Sequence, residues 1–204
     1  MSTVVITEQA APGTPSAGQV VFYAKSDGLI YAKDDAGTEK QLSNVGLGGI
    51  TLGTPTTTTS GTSVPYSGIS SGTKRITVML AGVSVNATAR LILQIGPSGG
   101  LATTGYLGSG VLVLSAAALH NTGFDLVGAD VGATSVIHGH IILTLLDATA
   151  HIWTASWSIG FSNSAAVSSG GGSIDLSGEV TQLALTTVAG TATFDAGSAN
   201  ISYE

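Results

Sequence analysis

Cysteine is absent from the 204 residues. That excludes disulfide frameworks and thiolate metal sites, but does not identify the compartment. Charge is scarce too: Asp, Glu, Lys and Arg make up 9% of the chain, against about 25% in an ordinary soluble domain. Acidic residues outnumber basic ones 12 to 6, for a net charge of −6. A nucleic-acid groove needs clustered cations, so this balance argues against one. No apolar run approaches the roughly 18 residues of a membrane span; the longest candidate, Ile137 to Leu146, is interrupted by His138, Gly139, His140 and Thr144. The opening MSTVVITEQAAPGTPSAG lacks a cationic leader followed by an apolar stretch, so no Sec signal is expected. Aromatic residues amount to only 5%.

Against these scarcities stand 29 glycines and a mean hydropathy of +0.43. A chain this long can bury about 70% of its unfolded surface without a covalent staple. High hydropathy with little charge implies surface that is covered when subunits assemble, because a lone soluble domain keeps a more charged exterior.

Four regions follow along the chain. Residues 1–18, with Pro12, Gly13, Pro15 and Gly18, read as an extended arm; its run Thr3-Val4-Val5-Ile6-Thr7 is suited to adding a strand to a neighbour's sheet edge. Residues 19–45 read as a β-meander. Three short strand-forming segments are separated by Ser26-Asp27-Gly28 and Asp34-Asp35-Ala36-Gly37, and Tyr23-Ala24-Lys25 is echoed by Tyr31-Ala32-Lys33. Residues 46–61, rich in Gly, Ser and Thr, read as a linker. Residues 62–204 read as all-β, an antiparallel sandwich or jelly roll. In Lys74 to Val83, Ile76, Val78 and Leu80 alternate with Thr77 and Met79. Further strands are expected over Arg90–Ile95, Gly105–Leu114, Gly123–Val127, Ser173–Leu176, Val180–Thr187 and Ala199–Tyr203. A hairpin is expected between Val136–Leu146 and Ile152–Phe161 around Asp147–Ala150. Only Leu114–Leu119 invites a helix, of one or two turns.

Catalytic patterns do not emerge. GxSxG, P-loop and HExxH are missing, and the glycine-rich stretches at 46–49 and 170–172 read as flexible turns. His138 and His140, two apart on a strand, project from one face; with His120 or His151 they are a weak candidate for a three-histidine metal site at a trimer axis, the alternative being a polar row facing solvent. Asp27, Asp34 and Asp35 lack the calcium-loop pattern and read as turn-forming. Asp125, Asp130, Asp147, Asp175, Glu179 and Asp195 are too scattered for a glycosidase pair to be read from sequence. Trp153 and Trp157 share a strand face. With Tyr106 or Phe161 they are candidates for a glycan-stacking platform; the alternative is that both fill the core, which the shortage of large side chains favours. No cofactor and no enzymatic activity are expected.

The segment TPSAGQVVFYAKSDGLIYAKDDAGTEKQL resembles one that recurs near the start of tail-fibre and other exterior proteins of tailed bacteriophages. Pro15, Gly18, Tyr23, Lys25, Asp27, Gly28, Tyr31, Lys33, Asp34, Gly37, Thr38, Glu39 and Leu42 carry the likeness. Lys74–Met79, Leu145-Leu146-Asp147 and the ending Phe194–Glu204 resemble a β domain of phage structural proteins. The resemblance implies a virion protein made in the host cytoplasm and placed on the particle exterior. Tyr23, Lys25, Asp27, Gly28, Tyr31, Lys33, Asp34 and Gly37 would then belong to the unit that anchors it. Its expected partners are copies of itself, as a homotrimer, together with capsid or tail proteins and host-surface glycans; nucleic acid and membrane insertion are not expected. A capsid decoration (cement) protein is the alternative, and a secreted carbohydrate-binding module a further one.

Overall fold

A computed structural model describes residues 6–42, 49–113 and 116–204. The described residues are all-β, without a helix, and the chain divides into two compact units, residues 1–49 and 50–204.

The first unit is an antiparallel meander of β1 (Val21–Ala24), β2 (Ile30–Lys33) and β3 (Glu39–Gln41). Each turn is set by an aspartate and a glycine. Asp27 accepts from the Leu29 N–H and Asp34 from the N–H groups of Ala36 and Thr38, while Gly28 and Gly37 take φ of 79° and 82°, where a side chain is disfavoured. Residues 8–18 return onto the meander. Glu8 bridges Ala24 in parallel, Lys33 Nζ donates to the Pro12 carbonyl, and Gly18 N–H donates to Asp35. Thr3–Val5 of the expected arm strand lie outside the described residues, and Ile6 and Thr7 belong to no strand.

The second unit is β-sandwich-like. Its larger sheet has the order β10 (Ala118–Leu119), β9 (Leu107–Leu112), β14 (Val167–Asp175), β13 (Ile152–Phe161), β12 (Ile137–Asp147), β7 (Arg75–Val85), β16 (Phe194–Tyr203), β4 (Thr51–Leu52), with β5 (Thr56–Thr57) also on β16. The smaller sheet runs β11 (Phe124–Asp125), β8 (Leu91–Gly96), β15 (Gln182–Thr187), β6 (Ser63–Ser67). One core joins the two sheets. Ile76, Val78 and Leu80 of β7, Ile141 and Leu143 of β12 and Trp153 of β13 pack in the same cluster as Val64, Leu93, Ile95 and Leu185. Each such aliphatic side chain contributes about 1.5–3 kcal/mol by leaving water.

Three expectations are corrected. Residues 50–61, read as linker, supply β4 and β5, which pair with β16 through Leu52, Thr51, Thr57 and Thr56; edge pairing needs backbone groups only, so no apolar alternation marks these strands. Ala118 and Leu119, read as the end of a helical turn, pair with Gly110 and Ser109 as an edge strand, sheet contact overriding alanine's helix preference. Leu114 and Ser115 lie outside the described residues. Gly170–Gly172, read as a flexible turn, lie inside β14 between β13 and β9. Gly46–Gly48 of the other glycine-rich stretch are likewise outside the described residues. Pro65 is accommodated because β6 is an edge strand.

Candidate functional site

The motif residues of the first unit turn mostly towards one another. Tyr23 is fully buried and stacks on Tyr31, with ring centroids 5.9 Å apart. Lys25 lies 4.2 Å above the Tyr31 ring and pairs with Glu39. The Tyr31 hydroxyl donates to Asp27 Oδ2 at 2.9 Å. Hydrogen bonding from Lys25 holds the Glu39 carboxyl below the usual carboxylate range, and the same contact raises Lys25. Asp27, Gly28, Asp34 and Gly37 shape the turns and Lys33 ties down residue 12, so these residues build the unit. Among the described residues, its exposed large apolar side chains are others: Ile6, Val20, Phe22, Ile30 and Leu42. Phe22 is 61% exposed and was missed from sequence. The available signal is its phase, since a neighbour of inward Tyr23 on a strand points outward.

Both tryptophans are in the core. Trp153 and Trp157 are buried, which removes the proposed glycan platform, as does the burial of Tyr106. The Trp157 indole lies over Gly170, with Gly110 next to it, and Phe124 packs against it at 6.4 Å between ring centroids.

Behind this aromatic group sits a charged cluster that no motif announces. Asp125 is buried. Its Oδ1 accepts from the N–H groups of Val127 and Gly128, and its Oδ2 lies 3.6 Å from Arg90 Nη1 and 4.0 Å from His120 Nε2. Arg90 also reaches Asp130, at 3.3 Å. Burial pushes the Asp125 carboxyl up, opposed by the Gly128 N–H, Arg90, the Val127 N–H and His120. This cluster fastens the 124–128 segment between the two sheets and reads as structural.

The remaining acids are dispersed. Asp147 caps its own turn through the Thr149 and Ala150 N–H groups, Glu179 accepts from Ser71 and Asp195 from Ser84. Among the described residues no group of three His, Asp or Glu side chains is placed to hold a metal. His138 and His140 lie on the outer face of the larger sheet and are exposed. The Nδ1 of His138 accepts the Gly82 N–H at 3.1 Å. In a neutral ring that leaves the proton on Nε2, the wrong tautomer for a metal ligand there.

The outer face of the larger sheet extends across eight strands of the second unit. Residues opposite one another in antiparallel pairs share a face, so the register defines rows across the strands. One row runs from Leu119 through Ser109, Gly171, Ser156, Ile142, Thr77 and Ser202 to Leu52. The next carries Val111, Ser169, Ser158, His140, Met79 and Asn200. On either side lie Val167, Gly160, His138, Ala81 and Ser198, and Leu107, Ser173, Thr154, Thr144 and Arg75. The last of these rows ends on Arg75 and Glu204, which exchange backbone hydrogen bonds and whose side chains lie 3.7 Å apart; these two are the charged residues of the four rows. Leu52, Leu107, Leu119 and Val167, at or near the ends of the rows, are exposed.

Comparison with protein-family models, with curated proteins and with solved structures returns no match.

Proposed function

We propose that this chain is a bacteriophage virion structural protein of the particle exterior, in which residues 1–45 attach to the particle and residues 62–204 form a self-associating β body. The observation that carries this reading is the division into two compact units of unequal size. The first is a three-stranded meander, too small to be stable on hydrophobic burial alone. Yet it is knit by side-chain contacts and turns Phe22, Val20, Ile30 and Leu42 outward. A small unit of fixed shape with an apolar surface suits attachment. A sandwich whose sheet face carries a single ion pair, Arg75 with Glu204 at its border, suits packing among copies. The sequence resemblance to phage exterior proteins points the same way.

Deleting residues 1–42 tests the division of labour. The expected product is a folded, self-associated body that no longer joins particles; full occupancy on virions would overturn the reading.

The cement alternative keeps one observation in its favour. With Trp153 and Trp157 buried, the exterior has lost the aromatic pair that a glycan-binding fibre tip would have used. Locating the protein in intact particles separates the two, since a cement protein follows the head lattice and a fibre stands on the tail.

A further inference from the structure

We propose that the outer face of the larger sheet, centred on Ser156, Ser158, His140 and Ile142, is where two copies of this chain meet. The inference rests on the self-association in the proposed function and assigns its surface.

Charge is the first argument. Two identical chains of net charge −6 repel wherever acids face each other. This face holds one acid in its four rows, Glu204, paired with Arg75 at the border, so copies approach there with little repulsion. A partner of opposite charge, by contrast, gains nothing there. Chemistry is the second argument. The hydroxyls of Ser109, Ser156, Ser158 and Ser169 and the His140 imidazole can donate and accept, so such a surface can satisfy itself across an isologous contact. Exposed Leu119 and Leu52 terminate the central row at opposite edges, placing apolar side chains where a second sheet would cover them.

Size is the third argument. Each of the six strands from β9 to β16 occupies about 4.8 Å and each row two residues of about 3.4 Å, so the four rows cover about 29 Å by about 27 Å before the edge strands are added. A stable interface needs about 800 Å² from each partner, and a face of these dimensions plus its rims meets that need.

The test uses the full chain. Sedimentation velocity is compared for the parent, for Ser156→Asp with Ser158→Asp on the face, and for Ser177→Asp on an exposed loop away from it. The parent and Ser177→Asp are expected to associate, and the double variant to dissociate with its association weakened about tenfold or more, as like charges oppose across the contact. A parent that is monomeric at all concentrations overturns the proposal. So does a double variant that is folded and still associated.

Because the chain has no cysteine, Ser158→Cys supplies a reading that does not depend on the charged variant folding. A short bismaleimide should join two copies through residue 158 and fail through Ser177→Cys; the reverse pattern overturns the assignment. Attachment to particles is scored separately, so an associated protein with no affinity for virions removes the virion reading and leaves the interface standing. Association lost only when glycan or capsid protein is added identifies another occupant of the face and overturns the choice of a second copy.

Discussion

A Cβ placed on Gly170 would lie 2.1 Å from Cζ2 of Trp157. The two residues are cross-strand partners of β14 and β13, and the glycine's missing side chain is the space the indole occupies. Gly110, opposite Gly170 on β9, extends the same floor, its own Cβ falling 3.3 Å from that carbon. Gly170→Ala should therefore destabilise the second unit by about 3 kcal/mol or more, the upper range for overpacking. Adding Trp157→Phe removes the clashing ring carbons but leaves the Ser109 carbonyl oxygen, 2.5 Å from the same Cβ, so the rescue is partial. Phe in place of Trp should cost about 1–3 kcal/mol alone and less in the Gly170→Ala background. Urea unfolding of the four proteins measures this coupling, and strict additivity would contradict it.

The same pair marks where reading the sequence stops. Ile76, Val78 and Leu80 alternate with Thr77 and Met79, and that period of two discloses β7 and its inward side directly. The hairpin around Asp147 was legible because turn residues separate two apolar strands. Gly170–Gly172 carry no side chains and so no phase. What makes them a strand is an indole on a different strand. Likewise Trp153 and Trp157 disclose that they share a face, but not which face is covered. The outer face of the larger sheet was illegible for a related reason, since Ser109, Ser156, Thr77 and Ser202 become one row only through a register set by strands far apart in sequence. Asp125 and Arg90 similarly meet only in the folded chain.

Asp125 yields a prediction about acid. Burial raises its folded pKa above the unfolded value, so the native state holds a proton more readily. The associated stability is full below the unfolded pKa and is lost as pH rises through the folded one. Asn mimics the protonated form and keeps an acceptor for the Val127 and Gly128 N–H groups. Asp125→Asn should be within about 1 kcal/mol of the parent at pH 7, and should flatten the stability–pH curve in the acid window. Asp125→Ala strands those two buried donors and leaves Arg90 without this partner, a loss of about 2–4 kcal/mol. Chemical denaturation from pH 3 to pH 7 gives both readings; an Asn variant as unstable as the Ala variant would refute the account.

Neighbouring aromatics in β1 should separate building from docking. Tyr23 is buried and stacks on Tyr31, whereas Phe22 is exposed. Phe22→Ser should leave the meander intact and abolish co-purification with particles. Tyr23→Ser should open the meander, detected as faster amide exchange in residues 21–41. Equal loss of particle binding with equal loss of protection in both would show that Phe22 also supports the fold.

The proposed contact face has its own response to charge. The Nδ1 of His138 accepts the Gly82 N–H, at a bulge where Gly82 takes φ of 69° and the pairing of β7 with β12 slips. The facing positions are Gly160 and Ser158 on β13 and Ala81 and Met79 on β7, so a cation placed at residue 140 has no acid opposite it. His140→Lys should therefore weaken association through this face about tenfold, as like charges meet across the contact. His140→Gln retains polar contacts and should associate as the parent does. Sedimentation velocity of the three proteins gives the reading, and a Lys variant associated as firmly as the parent would mean that this position stands outside the contact.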